Sequence, residues 1–145
     1  MKQFLSVGLC LCLVCLLVAG CGQNRFPGIV PAEGVVLFNG VPLEGANLIF
    51  YPEEIRDDHV VVVSQTDQNG RFVLRTHGEA NGAFPGNYRV VVTQSRFVGY
   101  INNNPENGRE YTLATPVRFS QQRTTDLVVT IPPGGDRNIA IDLGD

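Results

Sequence analysis

Thr66-Asp67-Gln68-Asn69-Gly70-Arg71-Phe72 decides the fold class. The Asn-Gly pair readily takes the positive φ that a tight reversal requires, and the residues on either side have strand character. Just downstream, Phe72 and Leu74 alternate with Arg71, Val73 and Arg75, which puts the apolar pair on one face of an extended chain. The same alternation recurs along the chain. Tyr88, Val90 and Val92 oppose Arg89, Val91 and Thr93, and Leu127, Val129 and Ile131 oppose Asp126, Val128 and Thr130. Ile139, Ile141 and Leu143 oppose Asn138, Ala140 and Asp142. Seven strands are predicted, over 34–38, 46–51, 60–66, 71–76, 88–95, 124–131 and 138–143. Residues 66–72 are expected to join two of them as a hairpin, and 132–136 to reverse the chain between the last two. No helical period competes beyond the amino-terminal segment. The chain is therefore read as all-β, a seven-stranded sandwich.

Three stretches carry a family resemblance. Gly34-Val35-Val36-Leu37-Phe38-Asn39-Gly40-Val41-Pro42-Leu43-Glu44-Gly45-Ala46-Asn47-Leu48-Ile49-Phe50 resembles the opening of a carboxypeptidase regulatory-like domain, which is transthyretin-like (prealbumin-like). The 66–72 turn matches that family's central hairpin. Asn81-Gly82-Ala83-Phe84-Pro85-Gly86-Asn87-Tyr88-Arg89-Val90 is similar to its proline-glycine lead into the next strand. Pro116, Phe119, Thr124-Thr125-Asp126-Leu127 and Asn138-Ile139 follow in the order seen in small bacterial lipoproteins of this kind. The resemblance implies a Greek-key prealbumin-like or Ig-like sandwich over 33–145; its motifs are specific for fold and weak for function, because they are turns and core positions. Transthyretin-like hydrolases of the urate pathway end in Tyr-Arg-Gly-Ser. This chain ends Ile141-Asp142-Leu143-Gly144-Asp145.

At the other end, Met1-Lys2-Gln3 precedes an apolar run that closes on Val18-Ala19-Gly20-Cys21. A basic head, an apolar stretch and small residues describe a secretory signal peptide. The cysteine after the small pair resembles the lipobox of bacterial lipoproteins. That resemblance implies cleavage before Cys21, a diacylglyceryl group on its thiol and a fatty acyl chain, such as palmitate, on the new amino terminus. Each buried methylene contributes ~0.8 kcal/mol, and two chains suffice for stable anchoring. The competing reading is an uncleaved transmembrane helix. Phe4 to Gly20 is only 17 residues, the lower bound for a span, and Gly22-Gln23-Asn24-Arg25 adds nothing apolar. The expected organisation is a signal peptide at 1–20, a lipidated tether at 21–32 and one domain at 33–145. The protein is expected to be exported and membrane-anchored, facing the periplasm or cell surface. Gly22 in place of a retaining aspartate favours the outer membrane.

The other three cysteines, Cys10, Cys12 and Cys15, fall in the segment to be removed, so a lipidated mature chain has no disulfide and folds by packing alone. Lys2 is the only lysine. The mature part carries 10 arginines against 14 acidic groups, a balance without the basic stripe a nucleic-acid partner needs.

Little in the sequence points to catalytic or metal chemistry. His59 and His77 have no Gly-x-Ser-x-Gly elbow to serve, and Ser64, Ser95 and Ser120 fall in or beside predicted strands. Asp57-Asp58-His59 lacks the further ligands a metal site needs, and Asp67-x-Asn69-Gly70 is half of a calcium loop at most. Glu53, Glu54, Asp57 and Asp58 read as a solvated acidic loop. No cofactor, metal or catalytic residue is expected. The segment 96–115 is unexplained by the fold: it holds Phe97, Tyr100, Tyr111, Arg109 and the asparagines 102, 103, 104 and 107. So long a loop is either functional or a mobile insertion with aromatics tucked onto the body. The expected function is that of an envelope lipoprotein acting as a structural or protein-interaction module. The alternative is a glycan or small-ligand module whose binding residues are Phe97, Tyr100 and Tyr111. The chain lacks tryptophan, the best side chain for stacking on sugars.

Overall fold

The computed structural model describes residues 28–54, 60–76 and 80–144, and within them the chain is all-β. The first strands are β1 (Ala32–Phe38), β2 (Val41–Pro42), β3 (Asn47–Pro52), β4 (Val62–Gln65), β5 (Arg71–Val73) and β6 (Arg75–Thr76). Then come β7 (Ala80–Asn81), β8 (Gly86–Thr93), β9 (Ser95–Tyr100), β10 (Arg109–Leu113), β11 (Val128–Ile131) and β12 (Asp136–Asp142). Short 3-10 turns occupy Ile101–Asn103, Pro105–Asn107 and Val117–Ser120. Each of the seven predicted runs contains strand, the run 71–76 being divided at Leu74.

The larger sheet has the order β11-β8-β3-β4-β6-β7, antiparallel throughout. In the smaller sheet β1 is central. It pairs with β12 on one side, in parallel (Val36 opposite Ile141), and with β2 and β5 on the other. A separate antiparallel ribbon joins β9 and β10.

Alternation drives the burial. Phe72, Leu74, Ile139, Ile141 and Leu143 from one side of the core meet Leu48, Phe50, Val62, Tyr88, Val90, Val92 and Ile131 from the other. Phe50 links the two sheets, its ring centroid lying 5.9 Å from Phe72 and 6.1 Å from Tyr88. Each fully buried side chain of this size contributes roughly 1.5–3 kcal/mol. Val91 is buried as well, so β8 is covered on both faces. Buried threonines are satisfied locally: Thr66 Oγ1 donates to Leu43 O at 2.5 Å and accepts from Ala46 N at 2.8 Å. Thr125 Oγ1 donates to Val90 O at 2.7 Å.

One expectation is corrected in part. The turn at 67–71 forms, with Gly70 N–H donating to Asp67 O at 2.9 Å and Asp67 N–H to Arg71 O at 2.8 Å. Its strands then part, β4 lying in the larger sheet and β5 in the smaller, and meet again where β6 pairs antiparallel with β4, Val63 opposite Arg75, so the hairpin is interrupted over β5 rather than continuous. Phe72 is drawn into the shared core while β5 hydrogen-bonds to β1, leaving Ser64 Oγ to bridge the gap to Val73 O at 2.8 Å. The turn at 132–136, closed by Gly135 N–H on Pro132 O at 2.9 Å, reverses the chain between the last two strands and carries it from one sheet to the other.

The molecule has two distinguishable ends. At one, Val30 and Ala83 exchange backbone hydrogen bonds of 2.9 and 3.0 Å, and Asp136 N–H donates to Pro31 O at 2.9 Å. The chain comes into the fold there. β1 and β8 both run away from that end, and at the other Phe38, Gln94 and Ser95 line a common hollow.

Candidate functional site

Past Thr93, β8 loses its neighbours and continues through Gln94 as β9, which turns back as β10. The base of this ribbon is closed between its own legs and tied to the body through the Gln94 side chain. Ala114 N–H donates to Gln94 O at 2.7 Å, Gln94 N–H to Thr115 Oγ1 at 3.3 Å, and Gln94 Nε2 to Glu44 O. Its tip spans 101–108, where Asn104 Oδ1 accepts from Glu106 N at 3.0 Å and Asn102 and Asn103 hold φ of 55° and 56°. Asparagine tolerates that left-handed region better than other non-glycine residues. The segment 96–115, expected as a loop, is thus mostly a two-stranded hairpin, which corrects the loop reading.

The register explains how the three aromatics meet. Tyr111 lies opposite Phe97, but Glu110 lies opposite Gly99, so Val98 is an extra residue on β9. Such a bulge shifts the side-chain alternation by one. Tyr100, three residues after Phe97, consequently falls on the same face. The ring centroids of Phe97 and Tyr100 are 5.3 Å apart with planes at 72°, and those of Phe97 and Tyr111 are 5.9 Å apart at 68°. Leu113, opposite Ser95, and Arg109, opposite Tyr100, share this face by register. Arg96, Glu110 and Thr112 belong to the other.

The aromatics are not tucked onto the body. Phe97 is 46%, Tyr100 37% and Tyr111 54% exposed. Leu113, on the same face, is exposed too, as are Val98 and Ile101 elsewhere on the hairpin. Edge-to-face packing is the favourable geometry for aromatic pairs, worth ~0.5–1.5 kcal/mol beyond area burial. It also sets the rings at steep angles to one another, giving a ridged surface rather than a flat platform.

Elsewhere the polar groups are occupied structurally. Glu53 pairs with Arg89 at 3.1 Å, and Glu33 with Arg137 at 2.9 Å. Asp67 Oδ1 accepts from Asn69 N at 2.8 Å and Arg71 N at 2.9 Å, which makes Asp67-x-Asn69-Gly70 a turn. Ser120 Oγ donates to Val117 O at 2.7 Å. Where β4 and β5 part, a cleft of about 490 Å³ is lined by Ser64, Gln65, Arg71 and Arg75 together with the engaged Glu33 and Asp67. Among the described residues no three His, Cys, Asp or Glu side chains are grouped to hold a metal ion. None of their helices is long and apolar enough to cross a membrane. Cys21, Asp57, Asp58, His59 and His77 lie outside the described residues.

No protein-family model matches this chain, and no curated protein does. Among solved structures, a 9R-lipoxygenase from Cyanothece aligns over 84% of this chain and 17% of its own, at 16% identity and a TM-score of 0.38. The chain spans under a fifth of that protein, and a likeness at that score bears on neither fold nor activity.

Proposed function

We propose that this chain is a lipid-anchored, non-enzymatic module of the bacterial cell envelope that docks a partner protein through the aromatic face of the β9–β10 hairpin. The observation that carries the docking reading is the exposed cluster of Phe97, Tyr100 and Tyr111 on a hairpin pinned at its base. Aromatic side chains dominate interface anchors because they bury much apolar area at a cost of few torsions. A grouped exposed apolar face, unlike single exposed residues, marks an interaction site.

The anchor rests on the lipobox-like Val18-Ala19-Gly20-Cys21. The fold is read as the seven-stranded Greek-key sandwich of carboxypeptidase regulatory-like domains, with the aromatic hairpin as an addition to it. The anchor and the hairpin fit together. The chain enters the fold beside Ala83, and the hairpin leaves from the far end of β8. Eight strand residues at about 3.3 Å each separate the two by about 25 Å. A lipid on Cys21 would therefore hold the aromatic face away from the membrane, towards other envelope components.

The steep angles between the rings favour a protein partner over a glycan, since a sugar stacks best on a flat ring surface. The test is recovery of partners from the native envelope with the tagged, lipidated protein. Discrete proteins captured by the wild type and lost in Phe97→Ala and Tyr111→Ala support docking. Equal recovery by all three overturns it, and saturable glycan-array binding lost in the same variants would replace it with the glycan reading.

A further inference from the structure

We propose that Asn107-Gly108, at the tip of the hairpin, is a self-modification site where the asparagine amide becomes a carboxylate. In this reaction the backbone nitrogen of the glycine attacks Cγ of the preceding asparagine. A C–N bond closes a five-membered imide, and the side-chain nitrogen leaves as ammonia. Water then opens the imide at either carbonyl, giving aspartate or an iso-aspartyl linkage. No oxidant, reductant or enzyme is needed. What decides the rate is whether the glycine N–H is available, whether a following side chain obstructs it, and whether the backbone can turn to close the ring.

The sequence contains four Asn-Gly pairs, and the fold treats them differently. Gly70 is buried and its N–H donates to Asp67 O at 2.9 Å. Gly82 is buried and its N–H donates to Leu74 O at 2.6 Å. Asn39 and Gly40 fill a two-residue turn at φ of 51° and 76°, closed by the Phe38–Val41 pair, so ring closure would open β1 from β2. Asn107 is exposed, in a single 3-10 turn exposed at every residue, and Gly108 follows at φ 99°. The side-chain amide of Asn107 makes a long contact of 3.4 Å to Ile101 O. The neighbouring asparagines are poorer substrates: Asn102 and Asn103 precede residues with side chains, and Asn104 precedes Pro105, which has no N–H.

The product places a negative charge two residues from Arg109, beside Tyr100 on the aromatic face. Its effect on docking rests on the function proposed above; the modification itself does not. The experiment ages the full-length lipidated protein in detergent at mildly alkaline pH and follows each Asn-Gly peptide by mass spectrometry with iso-aspartate detection. Asn107 is expected to convert first, and the pairs at 69–70 and 81–82 on the order of tenfold or more slowly, because they react only after local opening. Asn107→Gln should abolish the early product. Equal rates at all four pairs, or conversion of Asn39 ahead of Asn107, would overturn the proposal. Partner capture before and after ageing gives the separate readout: conversion at Asn107 with unchanged capture removes only the link to docking.

Discussion

Gly34 shows how one residue sets the spacing of the smaller sheet. A Cβ at this position would lie 2.1 Å from Ile139 O and 2.7 Å from Ile139 Cβ, so β1 and β12 approach too closely for any side chain. Backbone stands in the way, and it cannot rotate aside as a flexible side chain would. Gly34→Ala is expected to cost about 3 kcal/mol or more through this overpacking, read as a lower urea midpoint with an unchanged slope. An unchanged midpoint would show that the two strands have slack. At this scale much was legible. Phe72 and Leu74, and the series Ile139, Ile141 and Leu143, are buried as their alternation predicts. The role of Gly34 was not, because the contact is to a residue more than a hundred positions away and leaves no local mark.

Among the elements, the β9–β10 hairpin departs most from its sequence reading. Val98 is the extra residue that breaks the alternation of Ser95 and Phe97 against Arg96, so a strict period-two test fails where the bulge sits. The available signal was the pair of Tyr-, Val- and Thr-containing runs flanking turn-rich 101–108. Phe97, Tyr100 and Tyr111 were identified as candidates, yet only the bulge explains why they meet. Inserting one residue between Glu110 and Tyr111 should give Val98 a partner on β10, remove the bulge and turn Tyr100 to the face opposite Phe97. The expected result is loss of Phe97–Tyr100 ring contacts by NMR, with Phe97–Tyr111 contacts retained. Because these rings pack on each other outside the core, Phe97→Ala and Tyr111→Ala should leave thermal unfolding of the body within about 0.5 kcal/mol of wild type. A larger loss would mean that the hairpin supports the fold.

For the whole molecule, the all-β class followed from turns and alternation, whereas the pairing of strands did not. The 67–71 turn is local and was readable. The parting of β4 from β5 and the parallel lie of β12 on β1 depend on which partners bury Phe72 and Ile141, a choice made across the chain. The proposed anchor has its own test. Cys21→Ser in the native host should move the protein from the membrane to the soluble fraction, and continued membrane retention would point to an uncleaved apolar segment instead. The account as a whole turns on what the anchored protein presents to its surroundings. A photo-crosslinking residue placed at position 111, and in a control at exposed position 130 on β11, tests this in intact envelopes. The account predicts one discrete protein adduct from position 111 and none from 130; adducts from 130 alone, or from neither position, would contradict it.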